Sequence, residues 1–209
     1  MKTIAVIFGG KSAEHDVSIV TAIASIIKPL ELTKKYRVEA VYVAKNGALF
    51  WDDKLKDIKL FTSGEIDKFI AKAQPASVEF DGGMTLVRAG RFTRRRKVDV
   101  VFPAMHGTYG EDGTLMGVLD MAGVAYVGCG LEASALAMDK AVTKQICMTY
   151  GLPSNKFLVL HAQEFAEDAL SVIRRIIKEL KYPLFVKPVH LGSSIAIARV
   201  TNDTELRNA

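Results

Sequence analysis

The sequence predicts an α/β fold built on a parallel sheet, and three observations predict it. Short, continuous apolar runs rich in β-branched residues recur at residues 3–8 and 98–103, the mark of strands buried on both faces. Helix-spaced apolar segments separate them, as crossover connections between parallel strands require. Glycine-rich loops with charged or hydroxyl side chains follow the apolar runs: GGKSAEHDVS (9–18), HGTYGEDGT (106–114) and VKPVHLGSS (186–194). In open α/β sheets such loops, at the carboxyl ends of strands, face the ligand crevice.

Residues 3–8 read as the first strand. Val17, Val20, Ile23, Ala24 and Ile27 then recur at helical spacing, and Pro29 marks the expected end of that helix. Residues 37–44 alternate as a second strand. Asn46-Gly47 signals a hairpin turn before Leu49, Phe50 and Trp51. Residues 64–74 read as a short helix and Asp81-Gly82-Gly83 as a further hairpin turn, so this middle stretch reads as an insertion on the sheet rather than part of its core. A third buried strand (98–103), a helix (114–122) and a short strand (124–127) complete a first domain, residues 1–128.

The character then changes, and residues 129–209 read as a second domain. Residues 131–150 are helical and stop at Gly151-Leu152-Pro153. A strand is expected at 156–161 and an amphipathic helix at 163–181. Strands at 184–187 and 195–200 flank Gly192-Ser193-Ser194, and Thr201-Asn202-Asp203 caps a final helix.

At 209 residues, 49% hydrophobic and 24% charged, the chain has an ordinary globular balance. Much of its net charge of +5 sits in Arg91–Lys97, which reads as a solvated turn, because aromatics do not alternate with the charges as base stacking requires. No nucleic-acid partner is expected. Cys129 and Cys147 lack the spacing of a metal motif or disulfide framework. The N-terminus reads as a strand, not a signal peptide, and no apolar run approaches the ~20 residues of a membrane helix. A cytoplasmic protein without a membrane partner is the expectation.

Gly9-Gly10-Lys11-Ser12 imitates the tail of a phosphate-binding P-loop, but Ala5 stands where the first glycine of that pattern belongs. The dinucleotide pattern fails as well. What remains is a tight turn delivering Glu14, His15 and Asp16 to a helix start. The carboxylates of Glu14 and Asp16 either cap the helix or, for Glu14, bind a substrate ammonium. His106 lies at a strand's carboxyl end among Gly107, Gly110, Glu111, Asp112 and Gly113, a density of glycine and charge unusual in a plain turn. Lys187, read as part of a buried strand, needs an anion, and the N–H groups and hydroxyls of Gly192, Ser193 and Ser194 can wrap a phosphate. The alternative is an ordinary hairpin with Lys187 reaching solvent. Lys140 alone says nothing.

Taken in order, GGKSAEHDVS, HGTYGEDGTLMG, SALAMDKAVTK and VKPVHLGSS resemble the D-alanine–D-alanine ligase family of the ATP-grasp superfamily, over essentially the whole chain. The resemblance implies a Rossmann-like N-terminal domain followed by the first, α+β subdomain of an ATP-grasp fold, with the C-terminal domain missing. It implies that Glu14 and Ser193 are catalytic, that Glu14, Val17, His106 and Ser193 hold D-alanine, and that Lys140, Lys187, Gly192, Ser193 and Ser194 bind ATP. Glu14 would hold the ammonium of the first D-alanine in a hydrogen-bonded group with Ser193, and His106 would sit beside its carboxylate. The implied chemistry is ATP-dependent joining of two D-alanines through a D-alanyl phosphate, for peptidoglycan precursors, in a homodimer joined through the N-terminal domain. Mg²⁺ is implied, with its ligands after Ala209 and none in this chain, so these residues alone are not expected to complete the ligation. The alternatives are D-alanine–D-lactate or D-alanine–D-serine ligation, or a non-catalytic binding remnant. Met116, where the family has glutamine, and Ile195-Ala196, where it has Val-Gly, depart from the pattern.

Overall fold

The computed structural model describes all 209 residues, as two compact units, Met1–Ala135 and Leu136–Ala209. The first is built on a seven-stranded sheet of order β6-β5-β4-β3-β2-β1-β7. Its strands are β1 (Lys2–Gly9), β2 (Tyr36–Val43), β3 (Leu49–Trp51), β4 (Ala76–Phe80), β5 (Met84–Arg88), β6 (Arg94–Val98) and β7 (Val100–Pro103). β1 pairs in parallel with both β2 and β7, and the remaining pairs are antiparallel.

Alternation along β1 sorts its side chains onto two faces. Ile4, Val6 and Phe8 pack with Ile19, Ile23 and Ile27 of the following helix. Ala5 and Ile7 pack on the other face with Val101, Leu119 and Val124. Both faces are covered, which is why the strand reads as an unbroken apolar run.

The middle stretch is not an appendage, as the sequence suggested. β3 to β6 continue the same sheet, and Trp51, Met84, Leu86 and Val98 are buried in the cluster that holds Ala5 and Ile7. Within the basic run, residues 91–93 form the expected exposed turn, but 94–97 belong to β6, where each arginine finds a partner. Arg94 stacks over the Trp51 ring, Arg95 forks onto Glu79, and Arg96 Nε lies 3.0 Å from the buried Glu39 carboxylate, which also accepts from the Trp51 indole N–H. Only Asp99 separates β6 from β7, so residues 94–103 supply both edges of the sheet. Asp99 is fixed to Thr3 by two hydrogen bonds.

Pro29 does not end the first helix. The helical run spans residues 15–32, as His15–Val20, a π-helical segment Thr21–Ile27, and Lys28–Leu32. The Lys28 N–H reaches five residues back to Ile23 O. That wider turn gives the proline ring room, and Pro29 sits in the first turn of the next α segment, where its missing N–H is tolerated. Residues 124–127 form an isolated parallel bridge, Val101 to Tyr126, rather than a strand.

The expected helix over 131–150 is two helices, Leu131–Met138, which runs from the first unit into the second, and Lys140–Thr149 in the second. Asp139 is extended between them and its carboxylate caps the second through the Ala141 and Val142 N–H groups. The helix expected at 163–181 is likewise broken at Asp168, which caps Ala169–Glu179 through the Ser171 N–H. The only sheet of this unit pairs β8 (Leu184–Val186) with β9 (Ala198–Val200). Residues 156–161 therefore form no strand; Leu158 and Leu160 pack on the core of Val172, Ile173, Ile176, Val200 and Leu206. Asn202 caps the last helix, Asp203–Asn208, as its sequence indicates.

Ser18 is fully buried; its hydroxyl accepts from Gly9 N–H at 2.8 Å and donates to Ala104 O at 2.7 Å. Ser18→Ala strands two buried backbone groups and should lower stability by about 2–4 kcal/mol in urea unfolding. A loss under about 0.5 kcal/mol would mean that water replaces the hydroxyl.

Candidate active site

β1 and β7 are adjacent and parallel, so their following loops emerge side by side. The first loop begins with two left-handed glycines. Gly9 has φ +92°, and a Cβ there would meet Val43 O at 2.3 Å; Gly10 has φ +95° and abuts Met105. Ser12 Oγ donates to His106 O at 2.6 Å and accepts from Glu14 N–H at 3.2 Å. One hydroxyl thus joins the two loops that carry Glu14 and His106.

Glu14 is buried, and its carboxylate lies against the Gly107 backbone: a Cβ on Gly107 would stand 2.5 Å from Glu14 Oε2, and Gly107 has φ +68°. Only glycine allows that approach. The His106 ring is held from both sides. Nε2 lies 3.1 Å from Thr21 Oγ1, in the π-helical segment, and Nδ1 lies 3.4 Å from Glu111 Oε1. The other oxygen of Glu111 accepts from Gly107 N–H at 2.9 Å. Val17, one turn along the same helix, is half exposed. Glu14 caps no N–H group of its helix through its side chain.

Sequence reasoning missed Ser12, Thr21, Glu111 and the structural part of His15. The His15 ring is buried, with Nδ1 2.6 Å from Gly10 O and Nε2 3.1 Å from the Tyr42 hydroxyl. For Ser12, His15 and Glu111 the signal was present as polar side chains inside two glycine-rich loops, whereas Thr21 lies in the helix beyond them, and only the fold pairs them. Asp112 accepts from the Tyr109 and Thr114 N–H groups; burial opposes its ionisation, yet these hydrogen bonds prevail and hold its carboxyl below the usual range. Met116 is buried in the helix Thr114–Met121.

In the second unit, Lys187 is exposed just beyond β8, its Nζ 5.6 Å from the Phe185 ring centroid, so it is not inside a buried strand. Lys140 meets the same loop: its N–H and Nζ both donate to Val189 O, and Nζ also donates to Leu191 O. His190 Nε2 lies 3.1 Å from the Asp139 carboxylate, whose ionisation the Val142 N–H favours. Ser193, Ser194 and Ala196 all have left-handed backbones, φ +48°, +58° and +54°. Strained positions of this kind cluster at ligand-holding sites. Ile195 and Ile197 N–H close onto Gly192 O and Ser194 O, leaving the Ser194 and Ala196 N–H groups for an anion. With the Lys187 ammonium, these donors fit a phosphate chain. No group of three or more His, Cys, Asp or Glu side chains is arranged to hold a metal ion.

Residues 3–129 match the family model described as D-ala D-ala ligase N-terminus, and residues 146–209 match D-ala D-ala ligase C-terminus. This chain belongs to the D-ala D-ala ligase family. The D-alanine–D-alanine ligase of Chloroherpeton thalassium is 40% identical over 212 residues, covering 100% of this chain and 57% of that protein. That of Caldicellulosiruptor bescii is 38% identical, covering 97% and 54%. Among solved structures, the D-alanine-D-alanine ligase from Coxiella burnetii superposes with a TM-score of 0.79 at 30% identity, covering 99% of this chain and 56% of that one. VanG D-Ala:D-Ser ligase from Enterococcus faecalis gives 0.78 at 34%, covering 99% and 57%. The chain thus spans little more than half the length of the ligases it matches. Its fold is the one these neighbours share, a Rossmann-like sheet followed by an ATP-grasp segment.

Tyr42 connects this site to pH. Burial first, then the Asp67 and Asp16 carboxylates, push its hydroxyl up to about 12. The fold favours the protonated phenol, so this stabilisation is complete below pH ~10, the ordinary tyrosine value. It is lost as pH rises from there to about 12. Tyr42→Phe should therefore show a smaller drop in urea midpoint across that range than the parent; equal slopes would refute the assignment. Gly107→Ala should lower stability by about 1–3 kcal/mol through its left-handed backbone, and shift the Glu14 carboxyl resonance in NMR spectra.

Proposed function

We propose that this chain is the substrate-holding and nucleotide-holding part of an ATP-dependent D-alanine–D-alanine ligase. The observation that carries this reading is the joining of Glu14 and His106 through Ser12 and Gly107, a buried carboxylate and an imidazole on adjacent loops. An amino acid needs just such a pair of opposed groups: the Glu14 carboxylate for the ammonium and His106 for the carboxylate. Val17 borders the same helix face. Lys140, Lys187 and the loop of Gly192, Ser193 and Ser194 would take the ATP phosphates, with Lys140 exchanging carbonyl oxygens for phosphate oxygens.

In this reaction the first D-alanine's carboxylate attacks the γ-phosphorus of ATP. ADP leaves and D-alanyl phosphate forms. The amine of a second D-alanine then attacks the acyl carbon, phosphate departs, and the amine proton is lost to solvent or a base. The residues described contribute by orientation and by neutralising charge on the transferring phosphoryl. Mg²⁺, homodimerisation through the N-terminal unit and a cytoplasmic location belong to the same proposal. No helix is long and apolar enough to cross a membrane. A second reading, D-alanine–D-serine ligation, is favoured by the likeness to VanG.

The test is calorimetric titration of the purified chain with D-alanine and L-alanine, followed by mass analysis of the products that the whole ligase forms with ATP and either D-alanine alone or D-alanine with D-serine. Saturable binding selective for D-alanine, weakened about a hundredfold by Glu14→Gln through the loss of one charge-assisted contact, is expected. Equal response to both enantiomers, or none, would overturn the reading. A mixed dipeptide in place of D-alanyl-D-alanine would replace it with the second.

A further inference from the structure

A cavity of about 460 Å³ opens in the first unit between the start of the long helix, the β2–β3 turn and the helix Ile66–Lys72. It is not the group formed by Glu14 and His106. Its lining divides by chemistry. Ile19, Phe61 and Ile70 give it an apolar wall. Two helices bring the carboxylates of Asp16 and Asp67, and the turn brings the Lys45 ammonium and the Asn46 amide. Asp16, Asp67 and Lys45 take part in none of the ion pairs of the structure. Asn46 Oδ1 is engaged by the Ala48 N–H, which leaves its NH₂ as the group it can offer. Asp16 and Asp67 line the same cavity as the Tyr42 side chain.

We propose that this cavity binds a small zwitterion with a branched apolar body, an amino acid of the leucine type, its ammonium between Asp16 and Asp67 and its carboxylate at Lys45 and Asn46. An amine without a carboxylate leaves Lys45 unanswered, and an acid without an ammonium meets two like charges. A sugar or polyol leaves Ile19, Phe61 and Ile70 against polar surface. The volume falls within the few hundred Å³ usual for small-molecule sites.

The experiment is titration of the purified protein with L- and D-leucine, 3-methylbutylamine and 4-methylpentanoate, followed by calorimetry and by amide NMR shifts. Leucine of one or both hands should saturate below about 10 mM, and each one-ended analogue should bind about tenfold more weakly. Asp67→Asn and, independently, Asp16→Asn should each weaken leucine about tenfold without weakening 4-methylpentanoate, with circular dichroism confirming the fold. Glu14→Gln should leave leucine binding unchanged. No saturation by leucine, undiminished binding in both aspartate variants, or loss of binding in Glu14→Gln would overturn the proposal. The last outcome would place leucine in the site read for D-alanine.

Discussion

The arrangement of the first unit depends on one buried hydroxyl. Ser18 is offered by the first turn of the long helix to the end of β1 on one side and the residue after β7 on the other, through Gly9 N–H and Ala104 O. Both backbone groups lie where their strands stop pairing, and both would otherwise be buried donors or acceptors without partners. The bond to Ser18 therefore fixes three things together: where the helix starts, where the two loops depart, and how far apart they are. Ser12 repeats the device one step further out, and by then the loops already carry Glu14 and His106.

The second constraint is the continuity of residues 94–103. A segment that forms both edges of one sheet ties the antiparallel extension to the parallel centre, and Asp99 locks the passage to Thr3. This explains why a strongly basic run can be a strand here. Arg95, Arg96 and Arg94 are answered by Glu79, Glu39 and the Trp51 ring, all supplied by the same sheet. The Glu39 carboxylate is buried but carries both an indole N–H and a guanidinium, so its charge is compensated.

Much of the fold was legible in the sequence where a local pattern has one physical solution. β1 reads as a parallel central strand because two covered faces leave no polar alternation. Asn46-Gly47 reads as a turn because it needs the left-handed backbone that Gly47 adopts, and Asn202 reads as a cap because its side chain can replace a missing helical partner. What was not legible depended on partners distant in the chain. Residues 156–161 have strand composition but no neighbouring strand to pair with, and Arg94–Lys97 have loop composition but Arg95 and Arg96 find carboxylates across the sheet. Pro29 ends an α-helix by rule, and the rule fails because the preceding turn is wider. At the site, His106 and Glu14 stood out by glycine context. Thr21 and Glu111, which hold the His106 ring, did not, because neither threonine in a helix nor glutamate in a loop is unusual until the fold brings them together.

Asp139 shows how a single residue can set the geometry of the second unit. The apolar pattern over 131–150 continues through it, so nothing local demands a break. Its carboxylate nevertheless gains more by capping Ala141 and Val142 and meeting His190 than it would on an exposed helical face. The break places Lys140 at the first helical position, where both its N–H and its ammonium reach Val189 O. A lysine one turn deeper in a continuous helix would have its N–H committed to the helix. The strained turn at Ser193, Ser194 and Ala196 is thus anchored by a cation at its entrance, and that cation is satisfied by neutral carbonyls alone. A phosphate offered to the Ser194 and Ala196 N–H groups would be a stronger acceptor for the same ammonium. On the proposed function, a bound phosphate and the carbonyls that anchor this loop would therefore compete for one ammonium.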